Sequence, residues 1–273
     1  MSATVRAHEF EALGTTCALF AIGQPSERLH ECERWVNRLG ARLTRFSSDS
    51  ELSRLNASRG RWLETSPEMS AILIESLRAY ENSAGLVNVA VLPSMLAVGY
   101  TRPFVQGAKV ATLDVVEPAP ALPDVLEVGE GRARLAPGAG IDLGGVAKGW
   151  MSDRIAEMLG PNAVANMGGD LMAAGGGPDG DGWPVAVGGT TLMLADQAAA
   201  TSSTRKRRWG DLHHLIDPRS GLPAASGLAE VSVVASSAFD AEVIAKTALL
   251  LGAECAPAYC AAHAHAWWLG RAV

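Results

Sequence analysis

The chain has 273 residues, of which 48% are hydrophobic, 19% charged and 5% aromatic. This length and apolar fraction fit one large domain or two modest ones and exclude a disordered chain, and the lack of any run of about 18 apolar residues excludes a membrane span on composition. With 23 Lys and Arg against 29 Asp and Glu the net charge is -6, so the overall field does not draw nucleic acid.

The four cysteines, Cys17, Cys32, Cys255 and Cys260, form no CxxC pair, so neither a disulfide framework nor a zinc site is expected. Cys17 ends LGTTC, yet His8, Glu9 and Glu11 stand before it where a signal peptide needs an apolar run. A cytoplasmic location is the expectation.

In chain order, EFEALGTTCALFAI over 9–22 reads as a strand or hairpin. Leu29, Cys32, Val36, Leu39 and Leu43 then recur at helical spacing, with Ser26 as N-cap and Arg28, Glu31, Arg34 and Arg38 on the wet side. Ser48-Asp49-Ser50-Glu51 fits a capping box before a short helix with Leu52 and Leu55. Thr65-Ser66-Pro67-Glu68 opens a second helix that runs to about Ala84 and closes at Gly85, with Ile72, Leu73, Leu77 and Tyr80 buried. From 87 to 140 the pattern weakens around Pro118, Pro120 and Pro123, with short strands expected near 109–113, 125–128 and 132–135.

IDLGG leads into a helix from about Val146 to Leu159, ended by Gly160. AVANMGGDLMAAGGG reads as strand, tight turn, strand, and WPVAVG and TTLMLAD continue as strands. AEVSVVA over 229–235 is another. Ser237 and Asp240 cap a helix to about Leu251, ended by Gly252, and a last strand covers 263–269. Strands and helices mix without a βαβ repeat, which predicts an α+β fold with mixed and antiparallel sheets and packed helices.

Several segments carry candidate chemistry. Asp142-Leu143-Gly144-Gly145-Val146-Ala147-Lys148-Gly149 pairs glycines with a helix start and a mobile cation, an arrangement suited to phosphate. The plainer reading is a tight strand-to-helix turn with a surface lysine. Asn166-Met167-Gly168-Gly169-Asp170 is a turn that, with the first, would wall an anion or nucleotide cleft. His213-His214 precede Asp217-Pro218-Arg219-Ser220-Gly221, which sets imidazole, carboxylate and guanidinium near one another. A hairpin whose Asp217 caps its own turn is the alternative. Arg205-Lys206-Arg207-Arg208 reads as a phosphate-binding run or a solvated loop. Glu242 and Lys246, four apart, share a helix face as an ion pair or at a cleft rim. Trp150, Trp183 and Trp209 read as core aromatics or as stacking surfaces for a ring ligand.

Together these motifs resemble the ApbE family, the FAD:protein FMN transferases. The resemblance is colinear through LGTT at 13–16, FSSDSELSRLN at 46–56, IDLGGVAKGWMSDRIAEML at 141–159, VANMGGD at 164–170, ATSS at 200–203, HLIDPRSGLP at 214–223 and VSVVASSAFDAEVIAKTALLLG at 231–252. It implies one ApbE-like domain over 1–273, with two subdomains flanking a cleft. It further implies that FAD is bound, that magnesium serves at its pyrophosphate, and that FMN passes to a threonine hydroxyl of a protein acceptor with release of AMP. Asp142, Gly144, Gly145, Lys148, Gly168, Gly169, Asp170, Thr201, Ser202, His214 and Pro218 fall on the flavin-binding positions. His214, Asp217 and Lys148 fall on the catalytic ones, with His214 handling the acceptor proton or orienting the phosphate.

Two departures stand out. Where the family takes a metal-binding aspartate and threonine at the start of its last helix, this chain has Glu242 and Lys246. Asp240 does not substitute for Glu242, since two helical residues turn a side chain by about 200°, and Thr247 is turned by about 100° from position 246. At Val87-Asn88-Val89-Ala90-Val91 the chain loses a carboxylate and a hydroxyl of the family pattern. The expectation is that Lys246 replaces the metal beside Glu242. An FAD-binding or FAD-hydrolysing protein that has lost efficient transfer is the alternative function.

Overall fold

The computed structural model describes residues 4–107, 110–113 and 116–271. In chain order the elements are β1 (Val5–Ala12), β2 (Thr15–Ile22), α1 (Ser26–Leu43), α2 (Glu51–Asn56), β3 (Leu63–Glu64), α3 (Pro67–Asn82), α4 (Leu92–Ala97), α5 (Leu122–Val125), β4 (Leu126–Gly129), β5 (Arg132–Leu135) and α6 (Ala147–Leu159). There follow β6 (Ala163–Met167), β7 (Leu171–Ala174), β8 (Trp183–Val187), β9 (Thr190–Leu194), β10 (Gln197–Ser203), β11 (Arg208–Trp209), β12 (Leu212–His213), β13 (Leu228–Ala235), α7 (Ala238–His263) and β14 (Ala266–Arg271). The α+β class holds. Every pairing among these strands is antiparallel, so the sheets are not mixed.

The chain divides into two compact units: 1–38, 147–203 and 226–273 form the first, and 39–146 with 204–225 the second. The first is built on a seven-stranded sheet of order β1-β2-β6-β7-β10-β13-β14. Its alternating small and branched residues let α6 and α7 pack closely against the central strands. Val164, Leu171, Ala173, Ala199 and Val234 join Trp183, Val185, Val187 and Leu194 of the β8–β9 hairpin in a separate apolar cluster.

The helical span α7 breaks at Gly252, where the sequence places the stop: Gly252 takes φ 84° and ψ 174°, and a second helical stretch then runs on to His263. By length and composition alone, the span Ala238–His263 is apolar enough to cross a membrane. Yet it packs on β10, β13 and α6, and buries Glu242 within the unit.

The second unit holds α2 to α5, the β3-β5-β4 sheet and the β11–β12 ribbon. Ser50, not Ser48, caps α2, accepting the Ser53 N–H at 2.9 Å. Glu51 instead reaches Ser66 and Arg42. Ser66 caps α3 and Pro67 starts it. Ser26 is the first residue of α1 rather than its cap. The strand expected near 109–113 is not formed over 110–113, and residue 109 lies outside the described residues. Helices α4 and α5 fall in the stretch where the sequence pattern weakens, each with a proline in its first turn.

Candidate active site

In the first unit, α6, the β6–β7 turn and α7 bring four charged side chains together. The Lys148 ammonium donates to Asp170 Oδ2 and to Glu242 Oε1, the latter at 3.3 Å. Glu242 Oε2 accepts the Gly149 N–H at 2.9 Å. Lys246 Nζ stands 3.9 Å from Glu242 Oε1, one helical turn along α7. Asp170 and Glu242 are 2% and 4% exposed, whereas the two lysine side chains keep 20% and 14% exposure. Burial alone would raise the Glu242 carboxyl. The ammonium groups of Lys148 and Lys246 and the Gly149 N–H outweigh it and hold the group below the usual carboxylate range.

Local sequence explains the convergence. Gly168 and Gly169 take φ 74° and 102°, so only glycines make the β6–β7 turn readily. Asn166 Oδ1 accepts the Gly169 N–H at 2.7 Å, and Ser152 of α6 donates to the Asp170 carbonyl at 2.7 Å. Asp153, one residue further along α6, accepts the N–H groups of Ala238 and Phe239 at 2.7 and 3.0 Å. It thereby holds two of the donors that the start of α7 leaves open. Asn166 stood in the predicted turn segment without a role of its own, and Ser152 and Asp153 were not singled out in the sequence. Asp153 stands one helical position from Ser152 and carries no motif of its own.

Of the other predicted residues in this unit, Thr201 exchanges a hydrogen bond with Ser232 Oγ at 2.9 Å, and Ser202 is buried in β10. Trp150 is buried and stacks on Trp35, and Trp183 is buried and donates to the Ala174 carbonyl, so both are core aromatics.

The second unit places Asp142, Gly144 and Gly145 just before α6. Asp142 Oδ1 accepts the Gly144 N–H at 2.9 Å, and Oδ2 takes Arg45 Nε at 2.6 Å. Arg45 also donates to the Tyr100 carbonyl and lies over the rings of Phe46 and Tyr100. Arg45 is thus the partner that the sequence left unnamed; it lies outside every glycine or histidine motif. Neither Gly144 nor Gly145 adopts a left-handed backbone.

The histidine-bearing hairpin belongs to this unit as well. Ile216 bridges Pro223, and Asp217 accepts the Arg219 N–H at 3.0 Å while its two oxygens grip the Arg219 guanidinium. Burial works against the Asp217 charge, but the Arg219 contacts prevail and lower its pKa. Asp217 therefore caps its own turn, the plainer of its two readings. Pro218 is buried and its carbonyl accepts the Ala119 N–H. His214 is half-buried on the hairpin. Its neighbour His213 is buried, with one ring nitrogen 3.1 Å from the Ala224 carbonyl and the other accepting the Leu215 N–H at 3.3 Å. Trp209 donates to the Val98 carbonyl and tilts against Tyr100, again a packed aromatic.

The ApbE family model matches residues 13–268. The chain belongs to the ApbE family. It is 25% identical over 260 residues to the FAD:protein FMN transferase of Haemophilus influenzae, covering 85% of this chain and 75% of that protein. It is likewise 25% identical over 268 residues to that of Vibrio cholerae, covering 89% and 80%. In fold it is similar to the apo flavinyl transferase ApbE of Pseudomonas stutzeri, with a TM-score of 0.81 at 23% identity over 95% of this chain and 90% of that one. The Vibrio cholerae flavin transferase ApbE gives a TM-score of 0.81 at 21% identity over 98% and 97%.

The positions that the resemblance assigns to magnesium do not fit a metal ion. Among the described residues no three His, Cys, Asp or Glu side chains are grouped to hold one. Both Glu242 oxygens are engaged, and two ammonium groups stand where an incoming cation would be repelled. Asp240 is tied to Ser237, and the buried Thr247 hydroxyl donates to the Val243 carbonyl at 2.8 Å.

Proposed function

We propose that this chain is an FAD:protein FMN transferase, moving FMN from FAD to a threonine hydroxyl of a protein acceptor. The observation that carries the reading is the family's glycine turn and lysine, Gly168-Gly169-Asp170 and Lys148, gathered with Glu242 and Lys246 in one charged cluster. The near-full-length relationship to FAD:protein FMN transferases supports it.

The reaction is a phosphoryl transfer. The acceptor oxygen forms a bond to the FMN phosphorus as the anhydride P–O bond breaks. AMP leaves with that electron pair, and the hydroxyl proton passes to a base. Charge accumulates on the phosphoryl oxygens and the leaving phosphate. Lys148 and Lys246, the two partly exposed cations of the cluster, answer that charge, while buried Asp170 and Glu242 fix where the ammonium groups stand. The family resemblance gives the acceptor proton to His214, an imidazole being suited to accept it. No step is assigned to magnesium.

Purified chain incubated with FAD tests the reading. FAD is expected to raise the melting temperature, and FAD with an acceptor-containing extract is expected to yield AMP. AMP and free FMN in equal amounts, with no protein-bound flavin, would instead indicate hydrolysis. No thermal shift and no FAD consumption would contradict the flavin reading.

A further inference from the structure

We infer that Lys246 supplies a fixed positive charge to the FAD diphosphate and that this chain works without a divalent cation. The inference rests on the flavin reading above and concerns only how the charge of the diphosphate is met.

One helical turn separates Glu242 from Lys246 and places carboxylate and ammonium on the same face of α7. Glu242 has no oxygen to spare: one is held by Gly149 N–H and the other faces Lys148 and Lys246. Asp170, the other carboxylate of the cluster, is bound to Lys148. Two charges of each sign are thus gathered at this point. A divalent ion entering there would have to displace ammonium groups from buried carboxylates and then meet their repulsion. The hydroxyl one position from Lys246 and the carboxylate two positions from Glu242 are no substitute. Thr247 is buried and bonded to its own helix, and Asp240 belongs to the N-terminal cap.

An anion approaching the same cluster meets a different surface. The two carboxylates are shut away, while Lys246 and Lys148 keep part of their surface in solvent. A phosphate oxygen gains a charge-assisted hydrogen bond from either without exposing Asp170 or Glu242. The Lys246 charge cannot be removed by a chelator. Lysine is nonetheless a single point charge and would not supply the Lewis-acid chemistry that a metal ion supplies.

The test is FAD binding, followed by flavin fluorescence, and FAD turnover, each in EDTA and in magnesium chloride. Wild-type affinity and turnover are expected to agree within about twofold between the two buffers, with no magnesium binding by calorimetry. Lys246→Met, which keeps the apolar stem, is expected to bind FAD about tenfold more weakly or worse in either buffer. Lys246→Arg keeps the charge and is expected to bind within a few fold of wild type. Thermal melts of both variants confirm that the fold is kept. FAD binding or turnover that requires magnesium would overturn the inference while leaving the flavin reading standing, as would unchanged affinity in Lys246→Met. Absence of FAD binding in both buffers would overturn the flavin reading and this inference with it.

Discussion

Gly149 and Ala238 approach so closely that a Cβ on Gly149 would stand 2.4 Å from the Ala238 carbonyl oxygen. The same glycine donates its N–H to Glu242 at 2.9 Å. The contact between α6 and α7 therefore sets the position of Lys148, which follows from its place one residue earlier. Gly149→Ala forces the two helices apart. We expect a loss of about 1–3 kcal/mol in urea unfolding, the usual cost of overpacking, together with weaker FAD binding because the Glu242 contact is disturbed.

Lys148 neutralises two buried carboxylates at once. Lys148→Met leaves Asp170 and Glu242 facing one another with less compensation, and should destabilise the fold by about 3–5 kcal/mol. Adding Asp170→Asn should recover part of that loss, because it removes one of the uncompensated charges. Urea midpoints of the single and double variants measure it; equal midpoints for wild type and Lys148→Met would contradict the cluster as described.

The acid limb of stability follows from Glu242. Its pKa is held below the ordinary carboxylate value in the folded state. Its contribution is therefore present above that ordinary value and is lost as pH falls through the folded one. The stability gap between wild type and Glu242→Gln should shrink as pH is lowered through this window, when followed by denaturant unfolding at several pH values.

His213 adds a second loss of stability toward acid, at higher pH than Glu242. A carbonyl only accepts, so the nitrogen facing Ala224 carries the proton and the one receiving Leu215 N–H carries the lone pair. Burial is the leading cause that lowers its pKa from 6.5, and the Ala224 bond opposes it only in part. The unfolded chain binds more protons below about 6.5, so stability is full above that value and falls as pH drops toward the folded pKa. His213→Gln should flatten that slope in the urea midpoint measured against pH. An unchanged slope would mean that His213 is not held neutral.

Asp153 secures the first turn of α7 by accepting two backbone N–H groups. Asp153→Ala leaves both donors without that acceptor and should cost about 1–3 kcal/mol. Asp153→Asn keeps one acceptor oxygen and should cost less. The melting temperatures of the two variants check the order.

Much of this architecture was legible in the residues because the signals were local. The β1–β2 hairpin, α1, α6 and the glycine turn after β6 follow from alternation, helical spacing and residues suited to left-handed backbone. The lysine of α6 and the Glu242–Lys246 pair were legible for the same reason, since one helical turn fixes which face they share. What was hidden depends on partners distant in sequence. Arg45 reaches Asp142 across 97 positions, and Asp153 reaches Ala238 across 85. No spacing rule connects such residues. The break at Gly252 was legible in its residue type, whereas the second helical stretch that follows it to His263 was not. Asp217 was legible in both of its readings, and only the Arg219 contacts decided between them.

FMN transfer to threonine is measured most directly by peptide mass spectrometry on proteins from source cells with and without this chain. Threonine-bearing peptides should gain the mass of FMN less one water when the chain is present and lose that gain when it is deleted. Identical flavin-bearing peptides in both cells, or none in either while the purified chain leaves FAD intact, would contradict it.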